Sequence, residues 1–279
     1  MVKSQQSPQT DWLVAAVQRM LKPIVKLLVG RMACPVAVDL LKEAYIEEAT
    51  RQLIDVEGRK RATKSALALK TGLDTRVIAA LEAKPRSETV TVADMTPEAS
   101  VLHAWSTDKA FVDPKSGQPR VLHIYGRRGT FQNLIMRYAG RNVTCPTVLA
   151  SLSAGGNIEM LNDDQVRMLS PHFDSTSQQQ KSAIETGSLA LEHVGRNAVH
   201  NFSDEVDDKS SWPQQTRLGR NLSPARLAEL RKTLDRLLSS QADAVETALQ
   251  SVAKTQAEDD EGRSAGVCAF YWEEPDQPR

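Results

Sequence analysis

The sequence predicts a mainly α-helical protein with one small β-hairpin near its middle. Aromatic residues make up only 5% of the chain, and Ala, Leu and Val supply most of its apolar side chains, a composition that favours helices. Apolar residues recur at helical spacing along most of the 279 residues. Residues 158–169 alone read as two short strands around a polar turn. We therefore expect a helical domain over residues 1–95, a mixed domain over 96–172 and a helical region over 173–279.

The N-terminal domain begins with two predicted helices, over residues 11–30 and 36–54. The first is amphipathic, because one proline and three basic residues interrupt its apolar run; the basic residues are Arg19, Lys22 and Lys26. No apolar window reaches the roughly 18 residues of a membrane span. We expect this helix to pack on its own domain, and a helix lying on a membrane surface is the alternative.

Residues 63–81 resemble the helix-turn-helix motif of bacterial DNA-binding proteins. Ala68 stands where two helices approach closely, and Gly72 stands four residues later, where a tight turn favours positive φ. Asp74 is suited to cap the second helix. The expected inward-facing residues are Leu67, Ile78 and Leu81, with Leu73 directly after the turn. An ordinary helical hairpin with a glycine turn remains the alternative.

The order of elements over residues 97–172 resembles the winged-helix fold. The predicted order is helix 97–105, strand 121–124, helix 130–139, helix 146–154 and a hairpin of strands 158–161 and 165–169. The sequence Leu-Ser-Ala-Gly-Gly-Asn-Ile before that hairpin also matches the superfamily. The two resemblances together imply DNA contacts from the helices that follow each turn. The candidate residues on those helices are Thr75, Arg76, Thr147 and Ser151.

Charge is distributed unevenly along the chain, although 35 basic and 35 acidic residues cancel overall. The net charge is +4 over residues 1–95, +2 over 96–172 and −6 over 173–279. Residues 58–73 and 114–158 contain basic residues and no acidic residue. Such acid-free basic stretches are typical of surfaces that bind polyanions. The neutral total therefore does not argue against a nucleic-acid partner.

Basic clusters precede two predicted helix starts, at Thr63 and Thr130. Cations at a helix N-terminus oppose the helix dipole, whereas a phosphate bound there would accept backbone N–H bonds and neutralise the cations. We therefore expect phosphate contacts at both helix starts. The alternative is that the basic side chains turn into solvent and bind nothing. The candidate phosphate-binding residues are Arg59, Lys60, Arg61, Lys64, Arg127 and Arg128.

The C-terminal region contains two predicted helices, over residues 178–202 and from 224 to about 255. The second repeats leucines at 3-4-3 spacing, at Leu227, Leu230, Leu234 and Leu237. This spacing suits packing against a partner helix, which is either the 178–202 helix or a second subunit. We expect a homodimer. The apolar run 267–272 is expected to add a strand or to dock against the rest of the chain.

The sequence contains few features that indicate disulfides, catalysis or metal binding. Cys34, Cys145 and Cys268 are widely separated, which favours reduced thiols and a cytoplasmic location. The sequence contains no glycine-rich phosphate loop, HExxH, GxSxG or CxxC. His193 and His200 have no carboxylate or cysteine at metal-ligand spacing. We therefore expect no enzymatic activity, no cofactor, no metal and no membrane partner.

The layout of the chain resembles an uncharacterised proteobacterial family classed as a domain of unknown function. The resemblance rests on Leu21-Lys-Pro-Ile-Val-Lys-Leu-Leu28, Thr71-Gly72-Leu73, Ala104-Trp105, Asp113, Gly117-Gln118-Pro119 and His200-Asn201. It implies a regulator with no established activity and no functional residues to carry over. From the residues themselves we expect a homodimeric transcriptional regulator that binds double-stranded DNA. The alternative is a protein–protein interaction module with winged-helix folds and no DNA binding.

Overall fold

A computed structural model describes residues 8–140, 142–173, 178–202, 210–253 and 264–273. The chain divides into two compact units, residues 1–180 and residues 181–279. Helices dominate the described residues, and the strands form one three-stranded antiparallel sheet. The prediction of a mainly helical protein with a small β-element is therefore confirmed.

The first unit contains nine of the helices and the three strands. Its first half holds α1 (Pro8–Leu28), α2 (Cys34–Arg51) with a π-helical extension (Gln52–Val56), α3 (Lys64–Thr71), α4 (Thr75–Ala83), α5 (Arg86–Thr89) and α6 (Val92–Met95). Its second half holds α7 (Pro97–Thr107), β1 (Leu122–His123), α8 (Phe131–Tyr138), α9 (Cys145–Ala154), β2 (Ile158–Asn162) and β3 (Gln165–Met168). Two longer helices, α10 (Gln178–Phe202) and α11 (Pro224–Ala253), follow.

A small hydrophobic core joins α2, α3 and α4. Its buried residues are Ile46, Ala49, Leu53, Leu67 and Ile78, and the half-buried Ala68, Leu73 and Leu81 pack against them. Thr63 caps α3 by accepting a hydrogen bond from the Ala66 N–H at 3.3 Å. Gly72 has φ +73°, and Asp74 caps α4 by accepting from the Arg76 N–H at 2.7 Å. The inward-facing residues, the turn and the cap expected from the sequence are all present.

The first helix does not bury its apolar side. Over residues 11–28 only Ala16 and Leu28 are half-buried, and every other side chain is exposed. The expectation that α1 packs on its own domain is therefore wrong. Its amphipathic pattern identifies a face that can be buried but does not specify what covers it. Among the described residues, no helix combines the length and the apolar character needed to cross a bilayer.

The larger core lies under the sheet, against α7, α8 and α9. The strand order is β1-β3-β2, with Leu122 opposite Val166 and Ile158 opposite Met168. Trp105 is fully buried, its ring centroid lies 5.3 Å from that of Phe131, and its indole N–H donates to the Arg120 carbonyl at 2.9 Å. The elements follow one another as helix, strand, helix, helix and hairpin.

The described residues of the second unit form no comparable core. No described side chain of α10 or α11 is buried, and Leu237 of the predicted leucine seam is 53% exposed. The helix α11 ends at Ala253 in the described residues, so the expected end near Thr255 lies outside them. Leu227, Leu230 and Leu234 of the same seam are half-buried, so the described part of this unit covers the seam only in part.

Polar contacts order the segments that flank these two helices. The His200 ring stacks on Trp212 at 4.1 Å, and Asn201 binds both the N–H and the carbonyl of Trp212. The apolar run 267–272 forms neither a strand nor a helix, and Val267 and Phe270 remain exposed. Glu273 attaches this segment to α11 through an ion pair with Arg231 at 2.5 Å. The segment 267–273 is thus held to α11 by an ion pair, and it adds no strand.

Candidate nucleic-acid interface

Three exposed cations surround the start of α3. Lys60 and Arg61 lie in the loop before the helix, and Lys64 is its first residue. None of the three forms an ion pair with another residue that the structure describes. The Thr63 cap fixes the first turn of the helix beside them. This loop therefore presents positive charge that the described protein does not compensate.

Glu57 compensates two other cations of the same basic stretch. Its carboxylate lies 3.0 Å from Arg59 Nε and 2.5 Å from Lys70 Nζ. The hydrogen bond from Lys70 is the main cause that holds the pKa of Glu57 below its ordinary value. Arg59 is consequently a weaker candidate for phosphate binding than its two neighbours. Sequence reasoning missed this pairing, although Glu57 lies only two residues before Arg59.

The first turn of α4 carries the candidate base-reading residues. Thr75 and Arg76 are both exposed, while Ile78 on the opposite side is fully buried. The Asp74 side chain binds the backbone N–H of Arg76, and the Arg76 guanidinium has no ion-pair partner in the described ranges. The buried side of α4 thus fixes the helix and leaves Arg76 directed away from the core.

A second basic loop precedes α8. Arg127 and Arg128 are exposed between Gly126 and Gly129, which both have positive φ. Thr130 caps α8 by accepting from the Asn133 N–H at 3.3 Å, as the sequence predicted. Of the other basic residues in this acid-free stretch, Arg137 is paired with Asp108 at 3.0 Å. Arg141 lies outside the described residues.

The helix α9 carries no charged side chain. The Thr147 hydroxyl shares a 2.7 Å hydrogen bond with Thr144. The half-buried Ser151 donates to the Glu98 carboxylate at 2.8 Å, so both candidate hydroxyls already have partners within the protein. Glu98 also brings a negative charge to the side of α9. Sequence reasoning could not find this contact, because 53 residues separate Ser151 from Glu98.

The candidate residues therefore fall into two local sets. Lys60, Arg61 and Lys64 precede or begin α3, and Thr75 and Arg76 begin α4, which follows α3 through the Gly72 turn. The second set combines the Arg127–Arg128 loop with the neutral α9. A search of the described residues finds no group of three or more His, Cys, Asp or Glu side chains arranged to hold a metal ion.

Comparison with known proteins identifies one family. Searches of curated proteins and of solved structures return no match. The model of a family of unknown function, DUF6502, matches residues 11–180, which include both hydrophobic cores and both candidate sets. His200-Asn201, on which the sequence resemblance partly rested, lies beyond the matched range. The chain belongs to the DUF6502 family.

Proposed function

We propose that this protein binds double-stranded DNA through α3 and α4 and acts as a transcriptional regulator. The observation that carries the proposal is Arg76, which is exposed and unpaired among the described residues on the first turn of a capped helix. In helix-turn-helix proteins the N-terminal residues of the second helix contact base edges in the major groove. An arginine in that position can bind guanine O6 and N7 with two hydrogen bonds.

The cations around α3 support the same proposal. Lys60, Arg61 and Lys64 are exposed and uncompensated within the described chain, as residues that bind phosphate must be. In helix-turn-helix complexes the first helix of the motif crosses the DNA backbone. Phosphate contacts fix the position of the protein on the duplex, while base contacts select the sequence. The two kinds of residue here lie on consecutive elements of one motif.

We propose that the winged-helix-like half adds backbone contacts and does not read bases. Its exposed cations, Arg127 and Arg128, lie in a loop, whereas its third helix is uncharged. Five phosphate contacts in all would give a salt dependence of about −4.5 in log K against log [salt]. A slope no steeper than the value of about −2.7 expected from the three contacts around α3 alone would contradict this assignment.

The test is a fluorescence anisotropy titration of a labelled 30-base-pair duplex over a series of salt concentrations. We expect the K60A/R61A/K64A variant to lose roughly three units of salt slope, because about 0.9 unit is lost per phosphate contact. Lys232→Ala removes an exposed lysine from α11 and serves as the control with unchanged slope. Binding that is undetectable at low salt, or equal in the triple variant and the control, would refute the proposal.

A protein–protein interaction module is the second candidate, and α9 favours it. Its hydroxyls are satisfied internally, and Glu98 lies beside it, which opposes a polyanion at this helix. In that case Arg127 and Arg128 would contact an acidic protein surface. The anisotropy titration separates the two candidates, since an interaction module would not bind the duplex.

We further propose that the protein works as a cytoplasmic homodimer without enzymatic activity. The helices α10 and α11 bury no described side chain, and a second copy would supply the missing packing surface. Two copies would read half-sites separated by about 34 Å, or one turn of DNA. The three cysteines are free thiols, which suits a reducing compartment.

A further inference from the structure

The structure contains two apolar seams that no other described residue covers, one on α1 and one on α2. Seam residues of α1 follow a 4-3-4-3 spacing, and all are exposed: Leu13, Val17, Met20, Ile24 and Leu27. Seam residues of α2 follow a 3-4 spacing and are also exposed: Val38, Leu41 and Tyr45. Alternating spacings of three and four are those of helices that pack along one another.

A groove beside the α2 seam is large enough to receive apolar side chains. It has a volume of about 350 Å³ and is lined by Leu41, Ala44, Tyr45, Glu48 and Ala49 from α2, by Gln52 from the π-helical extension, and by Lys70 and Thr71 from the end of α3. Apolar atoms make up most of its wall, and Tyr45, which lines it, is 58% exposed. A helix laid along α2 could insert one or two residues of its own seam here.

Charge on the two helices is complementary. The helix α1 has three basic residues and one acidic residue, Asp11. The helix α2 has four acidic residues, Asp39, Glu43, Glu47 and Glu48, and two basic residues. Opposite net charge favours packing of α1 on α2 and disfavours packing of α1 on a second α1.

The same two faces would meet within one chain if α1 and α2 formed a helical hairpin, since only Val29–Ala33 connects them. In the structure both seams are exposed, so the hairpin is open. The hinge contains Gly30 at φ +79°, and the backbone N–H of Ala33 binds the Met95 carbonyl. The start of α2 is thus anchored to its own unit while α1 leaves it. An open hairpin with intact seams is the arrangement from which two copies exchange an identical element.

We propose that α1 of each copy packs along α2 of a second copy, with its seam inserted at the Leu41–Tyr45 groove. The result is a reciprocal exchange of the first helix between two identical chains. Exchange accounts for the exposed seam on α2 as well as that on α1. A membrane surface, the other partner chemistry for a basic amphipathic helix, would leave the three-residue seam on α2 without a function.

The proposal is tested by disulfide cross-linking between two differently substituted full-length chains. Both chains carry C34S and C268S to remove the exposed native thiols, while the buried Cys145 is kept. One chain also carries Val17→Cys on the α1 seam, and the other carries Tyr45→Cys on the α2 seam. Because each chain has one exposed cysteine, a bond between residues 17 and 45 can form only between copies.

We expect the mixture to give the 17–45 cross-linked dimer under mild oxidation. A matched control replaces Val17→Cys by Gln18→Cys, which lies on the polar side of the same helix and is also exposed. The seam pair should form more than roughly tenfold faster than the control pair, because docking raises the local thiol concentration towards millimolar. Equal rates, or no 17–45 product, would overturn the exchange.

A flotation assay with the unsubstituted chain covers the membrane alternative. Vesicles of phosphatidylcholine alone are compared with vesicles containing phosphatidylglycerol. We expect the protein to stay with the soluble fraction in both cases, because α1 is occupied by the second copy. Flotation that requires the anionic lipid, together with no seam-specific cross-link, would assign α1 to a membrane surface and overturn the proposal. The cross-link does not depend on DNA binding, so failure of either proposal leaves the other standing.

Discussion

Two segments of the first unit, α3–α4 and α8–α9, share a local design but differ in where they carry charge. In each, a basic loop leads to a threonine cap, at Thr63 before α3 and at Thr130 before α8. The helix after the turn carries the exposed Arg76 in the first segment. The corresponding helix in the second segment, α9, is uncharged, and its Ser151 is bound to Glu98.

This difference means that similar backbone motifs can present different exposed side chains. The residues that set the turn and the cap determine where the second helix lies. Its exposed side chains then determine whether it can recognise bases. By this criterion α4 is the stronger candidate for a reading helix, and α9 serves mainly to complete the larger core through Val148 and Leu152.

The largest expected effect concerns the two cores. Trp105→Ala should lower the free energy of unfolding by about 3–5 kcal/mol, because it removes a fully buried ring and its hydrogen bond to Arg120. Ile78→Ala should cost about 2–5 kcal/mol in the smaller core. Urea denaturation followed by far-ultraviolet circular dichroism measures both.

Trp12→Ala is the control for these core substitutions, because Trp12 is 61% exposed on α1. We expect a change within about 0.5 kcal/mol. A cost for Trp105→Ala no larger than that of the control would show that the larger core does not depend on its tryptophan. The position of α8 and α9 on that core could then not be used in the comparison with α3–α4.

The second prediction compares the DNA contacts proposed for α4 with those of α9. Arg76→Ala should weaken binding to a preferred duplex by about 1–3 kcal/mol and relax its sequence preference, because it removes the only cation on the exposed side of α4. Thr147→Ala on α9 should change affinity by less than about 0.5 kcal/mol, since its hydroxyl is already bound to Thr144. Competition with mutated duplexes in the anisotropy assay measures both changes. A larger loss for Thr147→Ala would reverse the assignment of the reading helix.

The local features that support these predictions could be read from the sequence. Gly72, Asp74 and the threonine caps each act within four residues along the chain, so their spacing is sufficient to identify them. The periodicity of α3 and α4 likewise identified Leu67 and Ile78 as core residues. Local spacing fixed most element boundaries to within a few residues.

Interactions between distant parts of the chain could not be read in the same way. Ser151 and Glu98 lie 53 residues apart, and Lys70 and Glu57 lie 13 residues apart, so only the tertiary fold brings them together. The exposed seam of α1 is a third example. Helical periodicity reveals that a face is apolar, but the partner that covers it is set by geometry. The ion pair of Arg59 with Glu57 and the hydrogen bond of Ser151 to Glu98 were likewise not anticipated for these two predicted DNA-binding residues, whose role stays a prediction.

The third prediction concerns the turn that separates α3 from α4. Gly72→Ala should lower the free energy of unfolding by about 1–2 kcal/mol, because φ +73° is unfavourable for a residue with a Cβ. No atom lies within 4 Å of the added Cβ, so the cost comes from the backbone alone. Thermal unfolding measures it, and Gly187→Ala is the control, since Gly187 lies within α10, where no left-handed conformation is required. A stabilised Gly72→Ala protein would mean that the turn relaxes, and the helix after it would not be held in one position.

The smallest expected effect is the loss of stability at acid pH that depends on Glu48. This residue lies on α2, the helix that shares a hydrophobic core with α3 and α4. Hydrogen bonds from Arg51 and Gln52 at the end of α2 lower the pKa of Glu48 from its ordinary value of 4.5 to about 2. Because the folded state holds the lower pKa, the charged carboxylate stabilises the protein above pH 4.5, and this contribution is lost as the pH falls towards 2. The Glu48 side chain is 51% exposed, so solvent screening keeps the contribution below about 1 kcal/mol.

Urea midpoints of the unsubstituted protein and of Glu48→Gln, measured between pH 7 and pH 2, test this prediction. We expect the unsubstituted protein to be the more stable above pH 4.5 and the difference to shrink towards pH 2. Glu47→Gln is the matched control, because Glu47 is the exposed neighbour in the same helix and forms no ion pair with another residue that the structure describes. A difference independent of pH would show that Glu48 contributes through packing of its side chain. In that case the charge of Glu48 would not contribute to the stability of the core that joins α2, α3 and α4, and the contrast between the two segments would be confined to Arg76 and the loop cations.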